Sequence, residues 1–400
     1  MEYYKQSVAL HRRLKGKIET SIKMDIRTKE DLSLLYSPGV AQPCIEIAEQ
    51  PSSVYDFTMK GNTIAIVSDG SAILGLGNLG AAAAIPVMEG KAMLFKKYGG
   101  VNAFPICLDT QDTEEIIETI RRIAPVFGGI NLEDISAPRC FEIEERLQDL
   151  GIPVFHDDQH GTAVVVLAGL MNAVRVLKKN MSDLRVVVNG AGAAGIAITK
   201  MLKCIGMSPD SECMPVGEVI VCDTHGIIHS ARTDLNRAKR ELLKYSNSDD
   251  IAGTLKDALI GANVFIGVSG PRILNEDDIR TMAPDSIIFA CANPTPEIRP
   301  EEAYRGGAAI VGTGRSDLPN QVNNVLAFPG IFRGALHARA TSITPEMKIA
   351  AAHAIARCIR KPTREEILPC TLDMTVADKV AEAVARTWRQ QVRRQALVTV

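Results

Sequence analysis

Short β-type runs alternate with helical patterns along most of this chain. In its first part the β-type runs lie at 63–67, 103–108, 129–132 and 153–155, and helical patterns at 112–124 and 138–151 separate the later ones. An apolar helical pattern at 162–179 then leads to a second series of runs at 185–189, 218–223, 263–268, 286–292 and 308–312. Because strands that alternate with helices form parallel sheets, we predict an α/β protein.

The chain is long and apolar enough to bury two cores, with 400 residues of which 46% are hydrophobic. No repeat, low-complexity segment or long linker is evident, and we place the domain junction near 157–162. The predicted domains are therefore 1–158 and 159–400, and the second is the clearer Rossmann domain. Two amphipathic helical patterns, at 345–361 and 376–395, are expected to pack back onto both domains.

A glycine-rich loop follows the run that ends at residue 189 and opens a helical pattern. Its residues are Gly190, Ala191, Gly192, Ala193, Ala194 and Gly195. Such glycines permit a tight turn and let a pyrophosphate approach the backbone N–H groups of a helix N-terminus. The next run ends at Asp223, whose carboxylate can accept hydrogen bonds from the adenosine ribose. The pattern predicts a dinucleotide site, and Asp223 favours NAD over the 2′-phosphate of NADP.

A second glycine pattern at 75–80 is weaker evidence. No clean strand with a terminal acid follows it, and Pro86 is expected to cut the next helix short. The pattern favours a tight loop with close backbone packing. A loop that lines the site with backbone amides is the alternative.

Two pairs of adjacent carboxylates precede the dinucleotide loop. Glu133 and Asp134 follow one apolar run, and Asp157 and Asp158 follow the next. Buried without partners, these acids would repel one another, so they need water, bases or a cation. Carboxylate oxygens suit Mg²⁺ or Mn²⁺, and we therefore predict a divalent metal beside the nicotinamide. The alternative is that they are ordinary acids at helix and strand ends.

Composition and charge exclude several other classes of protein. The formal net charge of −2 and the scattered Lys and Arg residues argue against nucleic-acid or membrane-surface partners. The first twenty residues lack the features of a signal or transit peptide, and the longest apolar stretch, 163–173, is too short to cross a membrane. Nine irregularly spaced cysteines are typical of reduced thiols, so we expect a cytoplasmic protein.

Eight motifs in order resemble the malic enzymes over roughly residues 10–385. They are YSPGVA, SDGSAILGLGNLG, EGKAMLF, NLEDI, FHDDQHGTA, the Rossmann loop, ANPTPEI and NNVLAFPGIFRGAL. The resemblance is to the short bacterial and archaeal type, which implies a homodimer. It also implies an N-terminal substrate and metal domain before an NAD(P)-binding Rossmann domain. The implied activity is oxidative decarboxylation of malate to pyruvate and CO₂ with reduction of NAD(P)⁺.

The resemblance assigns a role to each matching residue. It makes Glu133, Asp134 and Asp158 ligands of Mg²⁺ or Mn²⁺, and Asp157 a supporting partner of the metal or the lysine. It makes Tyr36 the acid that protonates enolpyruvate. Lys91 would be the base, and its apolar surroundings are expected to lower its pKa toward neutrality. Asn293 and Asn324 would contact the nicotinamide ribose or the substrate.

Two features of the motifs leave questions open. Ser71 and Ala72 stand where larger members have an arginine for a substrate carboxylate, and Arg315 or the amides of 75–80 are the possible substitutes. His156 and His160 have i, i+4 spacing, as in some zinc sites. The acids between them better suit a turn in which only carboxylates face a cation.

Two alternative functions are compatible with the motifs. A malolactic-type enzyme would retain NAD and convert malate to lactate and CO₂. A regulatory dinucleotide-binding module would have lost catalysis, although Lys91, Tyr36 and the metal acids are all present.

Overall fold

The computed structural model describes residues 2–209 and 211–398, and these contain two mainly parallel sheets. The strands are β1 (Thr63–Ser68), β2 (Asn102–Cys107), β3 (Gly129–Leu132), β4 (Val154–His156), β5 (Arg185–Asn189), β6 (Glu218–Asp223), β7 (Gly226–Ile227), β8 (Val264–Gly267), β9 (Ser286–Ala290) and β10 (Ala308–Thr313). The first sheet has the order β2-β1-β3-β4, and the second has the order β10-β9-β8-β5-β6-β7. Only β7 pairs antiparallel to its neighbour within these sheets.

Sixteen α-helices surround the sheets in the described part of the chain. They are α1 (Glu2–Leu14), α2 (Lys29–Leu35), α3 (Ala41–Glu49), α4 (Val54–Phe57), α5 (Ala81–Leu94), α6 (Thr113–Ile123), α7 (Arg139–Arg146), α8 (Asp157–Leu177), α9 (Ala193–Leu202), α10 (Arg237–Leu242), α11 (Leu255–Leu259), α12 (Glu276–Arg280), α13 (Pro300–Arg305), α14 (Phe328–His337), α15 (Pro345–Arg357) and α16 (Thr375–Val398). The predicted α/β class is confirmed, and so is the Rossmann-type second part.

The long helix α8 links the two sheets. It begins directly after β4 and packs against α9 and α15 of the second part. By length and composition α8 could cross a membrane, but 72% of its apolar window is buried inside the protein. Its apolar surface is therefore used by the core. The division of domains at residue 158 stays a prediction, because the helix serves both parts.

The C-terminal helices pack back onto the rest of the protein, as predicted. Helix α16 lies along α14 and α15, and an added Cβ at Gly330 would come within 2.6 Å of the Val380 Cβ. On its other side α14 contributes Phe332, whose ring centroid lies 5.8 Å from that of Phe155 in β4. The aromatic contacts thus join the C-terminal helices to the first sheet.

Two expectations about the chain are wrong. Helix α5 does not end near Pro86 but continues to Leu94, because an internal proline removes one N–H donor and α5 retains its other turns. The cysteines are not all free thiols, since Cys204 and Cys213 form a disulfide. The chain between α9 and β6 brings Cys213 back to Cys204, just after the end of α9. The sequence pattern did not indicate this pairing.

The amino-terminal segment, residues 3–59, contains no buried residue. It nevertheless exposes large apolar side chains, among them Tyr3, Val8, Ile22, Leu34, Tyr36 and Ile45. Apolar surface of this extent on one segment is typical of an interface.

We predict that Asn172→Ala destabilises the protein by about 2 kcal/mol, because two buried carbonyl groups lose their donor. The Asn172 Nδ2 donates to the Ala356 oxygen at 2.9 Å and to the Ile367 oxygen at 3.0 Å, which ties α8 to α15 and the segment after it. Chemical unfolding of the variant measures the loss. Asn180→Ala, at an exposed position, is the control and should change the free energy of unfolding far less.

Candidate active site

The two acid pairs meet because their strands are neighbours. Strands β3 and β4 are parallel, and Leu132 pairs in register with His156. The residues that follow each strand therefore emerge at the same edge of the sheet, where α/β proteins place their ligands. The Asp134 N–H donates to Asp158 Oδ2 at 2.8 Å, which joins the pairs directly.

Lys91 of α5 reaches the acids from the side and is almost fully buried. Its Nζ lies 2.7 Å from Glu133 Oε1 and also forms an ion pair with Asp157 Oδ2. The same Nζ lies 4.1 Å from the centroid of the Phe328 ring. One buried cation thus contacts an acid from each pair.

The pKa of Lys91 is shifted in the direction opposite to the expected one. Burial lowers this pKa, as the apolar sequence suggested. The charges of Asp157, Glu133 and Asp158 raise it by more than burial lowers it, so the net pKa lies above the ordinary value of lysine. The expectation failed because it considered the apolar run around Lys91 and not the carboxylates that the fold brings to it.

The pKa values of the four acids are shifted as well. Burial is the largest cause that raises the pKa of Asp134 to about 8 and that of Asp157 to about 7, with neighbouring acids adding to it and Lys91 opposing it. Burial likewise raises the pKa values of Glu133 and Asp158. These four acids, of which Glu133, Asp134 and Asp157 are buried and Asp158 is partly exposed, are therefore only partly neutralised by Lys91.

The donor chemistry fits a divalent cation. Among the described residues, the buried Asp134 Oδ2 and Asp157 Oδ1 have no hydrogen-bond partner. Oxygen donors with surplus negative charge are what Mg²⁺ and Mn²⁺ prefer. Among the described side chains, no group of three potential ligands is already arranged to hold a metal ion. Lys91 contacts Glu133, and the Asp134 amide contacts Asp158.

The fold brings one further predicted residue to the acids. The Asn324 Nδ2 donates to Asp157 Oδ2 at 2.5 Å. Position 161, in the FHDDQHGTA motif, requires a glycine, because a Cβ at Gly161 would lie 1.8 Å from Asp157 Oδ1. The glycine leaves room for the carboxylate.

Other predicted residues lie outside this cluster. The Tyr36 side chain is 69% exposed at the end of α2, and Asn293 is exposed beside Gly314. Arg315 forms an ion pair with Asp317 at 2.6 Å. In the 75–80 loop the N–H groups of Leu79 and Gly80 donate to the Gly70 oxygen.

The dinucleotide loop has the geometry that its glycines predict. Gly190 has φ of 120°, and a Cβ at Gly195 would lie 1.7 Å from the Gly190 oxygen. Gly192 precedes the first turn of α9 without a side-chain cap, so the N–H groups at Ala193 and Ala194 head a helix N-terminus that can bind phosphate.

Sequence reasoning missed the cations around Asp223. Arg232 contacts its two oxygens at 2.8 and 3.0 Å, and Lys239 contacts Oδ2 at 2.6 Å. Burial raises the pKa of Asp223, but the hydrogen bonds from Arg232 and Lys239 outweigh it and hold the pKa well below the ordinary value. Their sequence distances of 9 and 16 residues gave no signal.

Two family models match most of the chain. Residues 15–148 match the malic enzyme N-terminal domain, and residues 159–389 match the malic enzyme NAD-binding domain. The chain belongs to the malic enzyme family.

Relatives and solved structures agree with this membership. The chain is 53% identical over 390 residues to a bifunctional malic/malolactic enzyme of Bacillus subtilis, covering 96% of this chain and 93% of the relative. It is 55% identical over 374 residues to an NAD-dependent malic enzyme of Geobacillus stearothermophilus, covering 92% and 76%. The crystal structure of an NAD-dependent malic enzyme from Thermotoga maritima is similar with a TM-score of 0.90 and 48% identity, covering 94% and 98%. Further relatives are named NADP-dependent malic enzymes.

We predict that Mn²⁺ stabilises the protein more at about pH 8 than at about pH 5.5. An acid whose pKa is raised by folding stabilises the folded state while protonated, and this stability is lost as the pH rises from about 4 through 7 to 8. Mn²⁺ would offset this loss by binding the deprotonated acids, so its stabilising effect should be larger at the higher pH. The raised pKa of Lys91 means that lysine stays charged throughout this window. Melting temperatures in EDTA and in Mn²⁺ across this range measure the effect. An equal or smaller Mn²⁺ shift at the higher pH contradicts it.

Proposed function

We propose that this protein catalyses the oxidative decarboxylation of L-malate to pyruvate and CO₂, with Mg²⁺ or Mn²⁺ held by Glu133, Asp134 and Asp158. The observation that carries the proposal is the ion-paired cluster that Lys91 forms with the buried Glu133 and Asp157, next to Asp134 and the partly exposed Asp158, within a malic enzyme fold. When bound, the cation supplies charge that orients and polarises a hydroxy acid, and the nicotinamide accepts the hydride from C2.

Lys91 is the proposed base for the C2 hydroxyl. Its Nζ forms ion pairs with Glu133 and Asp157, so it can pass a proton to the same acids. The acids that raise its pKa are also the proposed cation ligands and their neighbour, Asp157. Once their charge is shared with a cation, they hold the proton on Lys91 less strongly, which brings its pKa toward the working range.

Tyr36 is the proposed acid for C3 of enolpyruvate, and we assign it to the site of a second subunit. It lies on the segment 3–59, which has no buried residue and a large exposed apolar surface. Pairing two copies through this segment would cover that surface and deliver the tyrosine to a partner's site. We therefore propose a homodimer. We also propose NAD(P) and malate as its small-molecule partners, and a cytoplasmic location.

A malolactic reaction is the second candidate, because the Bacillus subtilis relative is named as bifunctional. Absorbance at 340 nm and lactate analysis, with malate, NAD⁺ and Mn²⁺, separate the two. Steady NADH formation with pyruvate supports the malic reaction, and lactate without NADH growth supports the malolactic reaction. If neither product forms, both are wrong and the regulatory module becomes the better interpretation.

Asp158→Asn should demand more Mn²⁺ and lower the rate by orders of magnitude.

We predict that Lys91→Ala and Tyr36→Phe separate the two proton transfers. The lysine variant should lose both malate oxidation and oxaloacetate reduction, since both move the proton of the C2 oxygen. The tyrosine variant should largely keep oxaloacetate reduction and slow solvent-hydrogen exchange into the pyruvate methyl group. Losses of about 10² to 10⁴-fold are typical of such groups. Lys97→Ala, an exposed lysine just after α5, is the control. Equal loss of both reactions in both variants would instead indicate a shared relay.

We predict that combining the two variants in one dimer restores the conversion of malate to pyruvate if Tyr36 acts in the partner's site. A heterodimer of Lys91→Ala and Tyr36→Phe chains would then hold one site with both groups intact, and its activity should be about half that of the wild type. Co-expression with two affinity tags isolates this species. An inactive heterodimer means that Tyr36 serves its own chain.

We predict that NAD⁺ is preferred over NADP⁺, because Asp223 lies where a 2′-phosphate would bind. Asp223→Asn should raise kcat/KM for NADP⁺ by roughly tenfold or more, since Lys239 then loses its carboxylate partner and Arg232 keeps only its ion pair with Asp234, which leaves N–H groups of both for charge-assisted bonds worth about 1.5 to 3 kcal/mol. Asp249→Asn removes an exposed acid without freeing these cations and should change nothing. A higher kcat/KM of the wild type for NADP⁺ refutes the preference.

A further inference from the structure

A largely shielded carboxylate outside the acid cluster contacts the start of α8. Glu144 lies on α7, and its side chain is 12% exposed. It accepts hydrogen bonds from the His156 N–H at 3.0 Å, the Gln159 Nε2 at 3.1 Å and the His160 Nε2 at 2.9 Å. No other acid in the described residues makes this set of contacts with α8.

These three donors bracket the two acids of α8. Asp157 and Asp158 are the first two residues of the helix, with His156 before them and Gln159 and His160 after them. Around the helix, the acids face Lys91, Asn324 and the Asp134 amide, whereas their neighbours in sequence face Glu144. Glu144 therefore holds the first turn from the side opposite the proposed metal.

The side chain of the residue that caps α8 does not anchor this end of the helix. His156 is the N-cap residue of α8, and it makes no side-chain cap bond. The backbone N–H that Glu144 accepts belongs to this same residue. A carboxylate near a helix N-terminus is also favoured by the helix dipole.

The surroundings keep Glu144 charged. Burial raises its pKa, but the charge and hydrogen bond of His160, with the charges of Lys348 and His156, lower it to about 2. Charge-assisted bonds are the stronger kind, so the contacts resist rotation of the first turn.

We propose that Glu144 is a positioning residue for the metal site, which fixes the first turn of α8 so that Asp158 and Asp157 face the cation and Lys91. This inference rests on the proposed metal ligands. Groups one step outside a metal's ligands typically change its affinity by 10- to 100-fold when removed. The comparable effect here is a loss of Mn²⁺ affinity without a loss of NAD⁺ binding, because the dinucleotide loop leads from β5 into α9 rather than into α8.

The test compares Glu144→Gln with Glu145→Gln. The glutamine at 144 keeps the shape but removes the charge and turns an amide donor toward the donors of Gln159 and His160. Glu145 is the next residue on α7 and is exposed, so its variant is a matched control. For each, Mn²⁺ affinity is measured directly by the fraction of free Mn²⁺ in electron paramagnetic resonance, and KM for NAD⁺ and the melting temperature are recorded.

We expect Glu144→Gln to weaken Mn²⁺ binding by about tenfold or more, to raise the Mn²⁺ needed for half-maximal rate in parallel, and to leave KM for NAD⁺ within about twofold. Saturating Mn²⁺ should recover much of kcat. A lower melting temperature with unchanged Mn²⁺ affinity would show a structural role only and overturns the proposal.

A second variant keeps the proposal testable if Glu144→Gln does not fold. Gln159→Met removes one donor and leaves Glu144 bonded to His160 and the His156 N–H, so Mn²⁺ affinity should fall by a smaller factor of at least about twofold. Unchanged affinity in this folded variant overturns the proposal. Failure of the proposed metal ligands is distinguishable, because the wild type would then bind no Mn²⁺ and Asp158→Asn would change nothing.

Discussion

The repulsion among four neighbouring carboxylates, three of them buried, is the constraint on which the rest of the site depends. Adjacent parallel strands end at the same edge, and each is followed by two acids, so the sheet itself forces the negative charges together. Lys91 neutralises only part of this charge, and the acids keep raised pKa values. Such an arrangement is costly for the protein alone and favours a divalent cation.

The neighbouring elements keep this charged cluster in place. Helix α8 carries one acid pair at its first turn and then runs through the core, where Asn172 fixes it to the C-terminal segments. Phe328 of α14 covers Lys91, and Gly161 leaves room for Asp157. Lys91 and the two acid pairs thus lie on elements whose packing joins both sheets, which is what a preorganised site requires.

The amino-terminal segment contrasts with this rigid centre. It has no buried residue in the single chain, and yet it contains the tyrosine that the family motif assigns as the acid. In the proposed dimer a partner would cover this apolar surface. Assembly and catalysis would then be linked, because covering that surface would also complete the site.

Much of the fold could be predicted because its signals are local. Alternating runs defined the strands within a residue or two, and Gly190 and Gly195 fitted a turn whose φ and close contacts no other residue tolerates. The acid pairs were recognisable since parallel strands share an edge. The direction of the Lys91 pKa and the contacts of Glu144 were not, because each depends on residues that separate strands and helices bring together. The continuation of α5 through Pro86 and the disulfide between Cys204 and Cys213 lie within short segments, but no local pattern indicated them. The sequence by itself determined which chemical groups are present and which strand or helix carries each one. Only the tertiary structure decided the charge state of those groups, because burial and the distances between charges exist only after the elements have packed.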